Sequence, residues 1–359
     1  MIVHQFVPTW EAGAIGSHIL GLHELMTSLG ITTRLWAGDI RSTMAPIAHD
    51  AAEFFATPVN DDNVLLYHLA VGAEMGEQLL GRPEPLVVNH HNVTPPHYFD
   101  SWMPALAENL EVGESQVLML AQRACLGIGD SKFNASAFER AGCNNTVVAP
   151  VFVDVLRLGA PIPMPTACAP RASDTRWLFV GRVAPNKAIH DLVTAFAWYR
   201  SGCDTTATLT IVGGVPADGY ASAVQRLVTR LGLEAAVEFV GAVTDHELAD
   251  CYRRADVYVS CSEHEGFGVP LVEAMHMGVP VIALDAAAVG ETVGNSAVLV
   301  QRRDPALFAC AAARVCSNAA VRHGLVTSGR ERSRQFSQTA VSERWTEIIG
   351  TEVLRAIHA

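Results

Sequence analysis

The feature that most restricts this chain is an alternation that runs almost its whole length. Short apolar, β-branched runs are separated by longer stretches whose apolar residues recur at helical spacing. Short apolar runs bounded by turn residues read as buried strands, and strands alternating with amphipathic helices pair in parallel beneath helical layers. In the front half, residues 2–6, 33–36, 63–68, 85–88, 126–130 and 146–149 read as strands. The first helix is predicted over 15–29, where Ile15, Ile19, Leu22, Met26 and Leu29 repeat every three or four residues and Gly30 caps the end. A second series follows at 177–180, 208–212, 237–240, 257–260, 279–284 and 297–300.

Between the two series lies a tract with Pro161, Pro163, Pro165 and Pro170 and no periodicity, which reads as a linker. The expected organisation is therefore a first α/β domain over 1–155, a linker over 156–174 and a second α/β domain over 175–338. A closing helix over 339–359 carries Trp345, Ile348, Ile349 and Val353 on one face and is expected to pack back towards the first domain. Ligands of such sheets sit beyond the carboxyl ends of the strands, so two parallel sheets in series predict a site in a cleft between them.

Charge narrows the partners. Residues 1–155 carry 17 acids and 6 bases, a net of −11, and the remainder carries 20 and 19. An acidic front half disfavours nucleic acid and anionic membranes, both of which attract basic patches. No apolar run approaches the roughly 18 residues of a membrane span, so no stable membrane insertion is expected. The first residues read as a strand and lack the basic start of a secretory signal. The eight cysteines form no CxxC pair and do not cluster with histidine, which suits reduced, packed thiols in a cytoplasm. Only two lysines occur, Lys132 and Lys187, so the position of each carries information.

Four segments can carry chemistry. The strongest follows the strand at 257–260. Glu265 and Glu273 flank a turn, Gly266-Phe267-Gly268, which leads through Val269, a helix-starting Pro270 and Leu271 into a short helix closed by Gly278. The glycines allow close backbone approach, the helix start offers free N–H groups to an anion, and the two carboxylates can accept hydrogen bonds from hydroxyls of one ligand. The second is Gly181–Lys187 after the strand at 177–180, where Arg182 and Lys187 suit a diphosphate. The third is Gly13–His18, with Gly16 at a helix start that can meet phosphate. The fourth is the run from Asn89 to Pro96 after the strand at 85–88, in which His91 can bond a sugar or donate to developing charge. No GxSxG elbow, no GxxxxGK[ST] loop, no HExxH and no Asp-x-Asp metal signature occurs, so no metal ligand is expected.

Taken together these motifs resemble family 4 of the retaining glycosyltransferases, which have the GT-B fold. The resemblance covers nearly the whole chain. It rests on Glu265 and Glu273 within the Glu-Gly-Phe-Gly-Val-Pro-Leu-Val-Glu-Ala run, on Val180-Gly181-Arg182 with Lys187, on the run Arg254 to Ser260, on Gly127 to Ser131 and on Phe336 to Trp345. The resemblance implies two Rossmann-like domains. It implies a hexose donor held as a nucleotide diphosphate, with GDP-mannose slightly ahead of UDP-glucose, and a soluble saccharide or small glycoside as acceptor. By the same resemblance Arg182 and Lys187 hold the diphosphate, Glu273 the ribose and Glu265 the transferred sugar. The 266–268 backbone with Val269 and Leu271 lines the donor, Gly16 approaches the diphosphate and His91 sits beside the sugar. Two positions depart from the pattern: Ala188 replaces a glycine after the lysine, and Val151-Phe152 replaces Asn-Gly before Asp154. A nucleotide-sugar epimerase of the same fold and a non-catalytic nucleotide-sugar or glycan-binding protein are the alternative functions.

Overall fold

The computed structural model describes residues 2–41, 46–161, 173–214 and 219–353. The chain divides into two compact units, Val155–Gln335 forming one and Met1–Asp154 with Phe336–Ala359 the other.

The first unit is built on seven parallel strands. These are β1 (Ile2–Trp10), β2 (Thr32–Ile40), β3 (Ala48–Asp50), β4 (Asn63–Leu69), β5 (Leu86–His90), β6 (Leu126–Gly129) and β7 (Thr146–Val148). They lie in the order β3-β2-β1-β4-β5-β6-β7. Helices α1 (Ala14–Ser28), α2 (Ala51–Phe55), α3 (Glu74–Leu80), α4 (Pro104–Arg123) and α5 (Lys132–Arg140) make the connections. Every residue of β4 is buried, as a central parallel strand covered on both faces requires.

The second unit repeats the plan with six strands: β8 (Arg176–Val180), β9 (Thr208–Val212), β10 (Val237–Gly241), β11 (Val257–Ser260), β12 (Val281–Leu284) and β13 (Ala297–Val300). Their order is β10-β9-β8-β11-β12-β13. Helices α6 (Ile189–Gly202), α7 (Gly219–Arg230), α8 (Asp245–Arg254), α9 (Val269–Met277), α10 (Val289–Val293), α11 (Pro305–Ser317) and α12 (Ala319–Arg334) complete it. Both sheets are doubly wound and Rossmann-like, and each reverses strand order at one place, between β1 and β4 or between β8 and β11. Such a switch point separates the outgoing loops of two neighbouring strands and leaves a crevice at their carboxyl ends.

A last helix, α13 (Gln338–Ile348), belongs to the first unit. Trp345 and Ile348 are fully buried against Leu66, Val87 and Ile128, and the Trp345 indole donates to the Pro150 carbonyl at 3.0 Å. Removing an aromatic so buried costs about 3–5 kcal/mol.

Four expectations change. The edge strand β3 and the helix α2 were not read from sequence; both are short and partly polar, so neither shows a period. β5 extends to His90, which places Asn89 and His90 inside the strand and leaves His91 as the first residue after it. The expected linker does not begin at 156: Val155–Leu158 form a 3-10 turn whose Val155 and Leu158 are buried within the second unit. Most of the remaining proline tract, 162–172, lies outside the described residues. The closing helix ends at Ile348 and passes into a wide turn at Ile349–Val353, and the last residues of 339–359 fall outside the described chain. No described helix is long and apolar enough to cross a membrane.

Candidate functional site

In the second unit the two strongest motifs leave the two strands that flank the switch point, β8 and β11. Their loops are stitched together. Glu263 N–H donates to the Asn186 carbonyl at 2.9 Å, and the Asn186 side chain donates to the His264 carbonyl at 3.4 Å. Lys187 Nζ meets Glu265 Oε1 at 2.7 Å, with both side chains largely shielded from solvent. Arg182, on the same loop as Lys187, is exposed, and among the described residues its guanidinium makes no ion pair.

The turn after Glu265 is fixed by its backbone. Gly268 caps α9 at φ 89°, in the left-handed region, and a Cβ there would lie 2.7 Å from the Leu271 side chain. Val269 and Pro270 then open the helix, so Pro270 takes its second position and not the first. The Phe267 carbonyl is held by the Thr292 hydroxyl at 2.5 Å. The helix N-terminus is thus presented at the end of β11, where an anion would be stabilised by free N–H groups and the helix dipole.

Glu273 lies on the buried side of α9 and is 2% exposed. One carboxylate oxygen receives the Arg157 guanidinium, and the other receives the Tyr252 hydroxyl at 2.9 Å. Burial pushes the Glu273 carboxyl above its ordinary range, and the charge of Arg157 opposes that rise. Burial also raises Tyr252 well above its ordinary value, so the phenol stays a donor. Arg157 pairs in addition with Asp245, at the start of α8. Neither Arg157 nor Tyr252 was singled out from sequence. Arg157 sits where a linker was expected, and Tyr252 on a helix without a motif, so only the folded chain joins them to Glu273.

The first unit gathers a different set. His91 Nδ1 lies 2.8 Å from Asp130 Oδ2, and its Nε2 lies 3.0 Å from His68 Nδ1. His68 Nε2 in turn lies 3.2 Å from Gln5 Oε1. His18 Nδ1 accepts the Phe152 N–H at 3.2 Å, and its Nε2 faces Asn89 Oδ1 at 2.9 Å. Asn89 also donates to Asp130 Oδ1 at 3.1 Å. Burial pushes His18 down to about 4 and His68 well below the usual imidazole range, so both are neutral at pH 7. Gly16 is buried in the first turn of α1, two residues before His18. His91 is likewise buried with both ring nitrogens engaged, a tighter setting than an open ring beside a ligand. The signal that could have found His68 and Asp130 is their place at the carboxyl ends of β4 and β6.

His18, His68 and His91 offer nitrogens within 4.8 Å of one another, the one group with metal-like spacing among the described residues. His18 does not suit an ion. The Phe152 N–H takes its Nδ1 lone pair, so Nε2 carries the proton given to Asn89 and no lone pair remains.

By structure, the chain matches Anabaena Alr3699/HepE, solved in complex with UDP and glucose, with a TM-score of 0.74 at 20% identity over 98% of this chain and 100% of that one. It matches sucrose-phosphate synthase from Thermosynechococcus elongatus with a TM-score of 0.75 at 19% identity, over 99% of both chains. The fold class is GT-B, two Rossmann-like domains with parallel sheets. By sequence, residues 174–318 match the family model of glycosyl transferases group 1. D-inositol 3-phosphate glycosyltransferase of Streptomyces avermitilis is 36% identical over 139 residues, which are 37% of this chain and 30% of that protein. The enzyme of that name from Thermobispora bispora is 30% identical over 261 residues, 69% of this chain and 60% of that protein. The chain thus spans between 30% and 60% of the length of these two relatives. Residues 174–318 thus carry the group 1 glycosyltransferase family match, and the chain as a whole has the GT-B fold.

Proposed function

We propose that the protein transfers a hexose from a nucleotide-diphosphate sugar to a small soluble hydroxylated acceptor with retention of anomeric configuration. The observation that carries this reading is the Lys187–Glu265 pair beside the Gly266–Gly268 turn, at the carboxyl ends of β8 and β11 and within the family-matching segment. When the anomeric C–O bond breaks, its electron pair passes to the diphosphate. Lys187, Arg182 and the α9 N-terminus supply the positive potential that the new charge needs, and such preorganised groups supply much of the rate in charge-developing reactions. Glu265 accepts hydroxyls of the transferred sugar and Glu273 those of the ribose. The acceptor oxygen forms the new bond on the face the diphosphate leaves, and its proton passes to a phosphate oxygen.

For the donor, UDP-sugars rank ahead of GDP-mannose, which the overall resemblance puts slightly in front. The Anabaena neighbour is described with UDP and glucose, and the pneumococcal O-GlcNAc transferase GtfA with UDP and GlcNAc. For the acceptor, the relatives' name supports an inositol phosphate. The charge of the first unit favours an uncharged polyol or saccharide instead. Residues 1–155 carry 17 acids against 6 bases, and of these bases Arg41 pairs with Glu11 and Asp39, Arg82 pairs with Glu84, and Arg123 is bound to two carbonyls, while Arg34, Lys132 and Arg140 are exposed.

The test is release of nucleoside diphosphate from UDP-glucose, UDP-GlcNAc and GDP-mannose, each with inositol 3-phosphate, inositol, simple glycosides or no acceptor, with and without EDTA. Acceptor-dependent release that survives EDTA, with an axial product linkage by NMR, is the expected result. Acceptor-independent conversion of the donor points to an epimerase, and tight binding without turnover to a binding protein.

A further inference from the structure

Glu273 poses a physical problem that its neighbours address. A carboxylate 2% exposed is driven towards its neutral acid, which spends one oxygen as an O–H donor and is a weaker acceptor for two hydroxyls than the charged form. The groups facing it are Arg157 from the 155–158 turn, Tyr252 and Asp245 from α8, and Tyr258 from β11. Arg157 is the one cation among these groups. It grips one carboxylate oxygen while Tyr252 holds the other, so the carboxylate plane is fixed and a second lone pair on each oxygen stays open. Arg157 is shared with the more exposed Asp245, which draws on the same positive charge.

We propose that Arg157 is a positioning residue for nucleotide binding, which keeps Glu273 negatively charged and holds its two oxygens at the orientation a ribose diol requires. Tyr252 completes the clamp, and Asp245 weakens it. This rests on the reading of Glu273 as the ribose acceptor. Burial raises the Glu273 carboxyl and Asp245 raises it further, while Arg157 and the Tyr252 hydroxyl lower it. Loss of Arg157 therefore moves the protonation of Glu273 up towards neutral pH, and loss of Asp245 moves it down.

The experiment measures the affinity of UDP and of GDP by calorimetry from pH 5.5 to 8.5. It uses the wild type, Arg157→Gln, Arg157→Lys, Asp245→Asn, Glu273→Gln and the Arg157→Gln/Glu273→Gln double variant. The ligand's own phosphate titration is common to all and cancels on comparison with the wild type. Arg157→Gln is expected to bind about tenfold more weakly at pH 6 and to recover by pH 8.5. Arg157→Lys is expected to retain most of the wild-type curve, since it keeps the charge. Asp245→Asn, a surface change, is expected to move the acid fall in affinity to lower pH. The double variant should bind no more weakly than Glu273→Gln alone. Wild-type affinity in Glu273→Gln would remove the ribose reading itself. Weakened binding in Glu273→Gln, but curves for Arg157→Gln and Asp245→Asn that keep the wild-type shape, would overturn the role of Arg157. If Arg157→Gln does not fold, the direction of the Asp245→Asn shift decides: a shift to higher pH or none overturns the proposal.

Discussion

The two sheets share one topology, yet the residues at their carboxyl ends are of opposite kinds. In the second unit the loops and helices that follow the strands carry charged groups: Lys187 pairs with Glu265, Arg157 with Glu273 and Asp245, and Arg182 is open to solvent. In the first unit the strand ends and α1 carry buried imidazoles, an amide and one carboxylate, bonded mainly to each other. A parallel sheet dictates where a ligand can sit and leaves the chemistry to the loops. An exposed cation such as Arg182 can act on a ligand at little cost to folding. A buried hydrogen-bonded network is part of the core, so changes to it are felt first in stability.

Acid should separate the two units most strongly. Burial holds His18 and His90 down at about 4, and lowers His4, His23 and His68 as well. Above an ordinary imidazole value of about 6.5 the folded and unfolded forms are both neutral and the native contribution is complete. As pH falls from there towards 4, the unfolded chain takes up protons that the folded one refuses. Each such histidine then costs up to about 1.4 kcal/mol per pH unit, or about 4 kcal/mol for His18 and His90 together at pH 5. Among the described groups the second unit has fewer of this kind, His190 and His276, both about half buried. Its Glu273 works in the opposite sense, because a raised carboxyl destabilises the fold near neutrality and ceases to do so as pH falls. Peptide-resolved hydrogen exchange after equilibration between pH 7 and 5 should show the first unit losing protection before the second. Simultaneous loss, or loss in the second unit first, would contradict the contrast.

Substitution at the charged site should strike turnover and spare the fold. Lys187→Ala and Arg182→Ala are each expected to lower kcat by about 10²–10³-fold, the scale for losing one preorganised charge stabiliser. The melting temperature should change little for Arg182→Ala, which is exposed. Near-normal turnover in both variants would rule out their place beside the diphosphate.

Substitution in the buried network of the first unit should do the reverse. Asp130→Asn removes a carboxylate that accepts from both His91 and Asn89. A charge-assisted bond of that kind contributes about 1.5–3 kcal/mol, and a urea midpoint reads the loss directly. An unchanged midpoint with abolished turnover would mean that Asp130 acts on a ligand and not on the network.

The same division explains what could be read in advance. The second unit's site lies in two contiguous runs, 181–187 and 261–274, where glycine, proline and charge sit at fixed offsets along one chain segment. The positions of most strands, including the switch-point strands β1, β4, β8 and β11, follow from local apolar patterning in the same way, whereas several of their ends do not. The first unit's network draws Gln5, His18, His68, Asn89, His91 and Asp130 from five separate elements, and no local pattern links them. Arg157 was hidden for a related reason: its partner Glu273 is 116 residues away, and the proline tract that follows masks the turn that carries it.

The smallest expected effect concerns Ala188, which occupies the position where the resembled family has glycine. Its backbone already has the glycine shape, with φ 47° in the left-handed region, and Ala287 repeats the feature at φ 51°. That conformation costs a residue with a Cβ about 1–2 kcal/mol, which glycine would recover. Two terms oppose the recovery. Glycine loses more freedom on folding, by about 0.5–1 kcal/mol. Removing a fully buried methyl forfeits roughly 0.8 kcal/mol more. Ala188 is fully buried in the second unit's core, whereas Ala287 is only partly buried. Ala188→Gly should therefore come out near neutral, and Ala287→Gly more favourable than it by less than about 1 kcal/mol. Urea midpoints of the two variants test the order. Turnover of Ala188→Gly should stay within about twofold of wild type, because the chain entering α6 needs no new path. A tenfold fall in turnover would show that the alanine methyl, and not the left-handed turn alone, sets the position of Lys187.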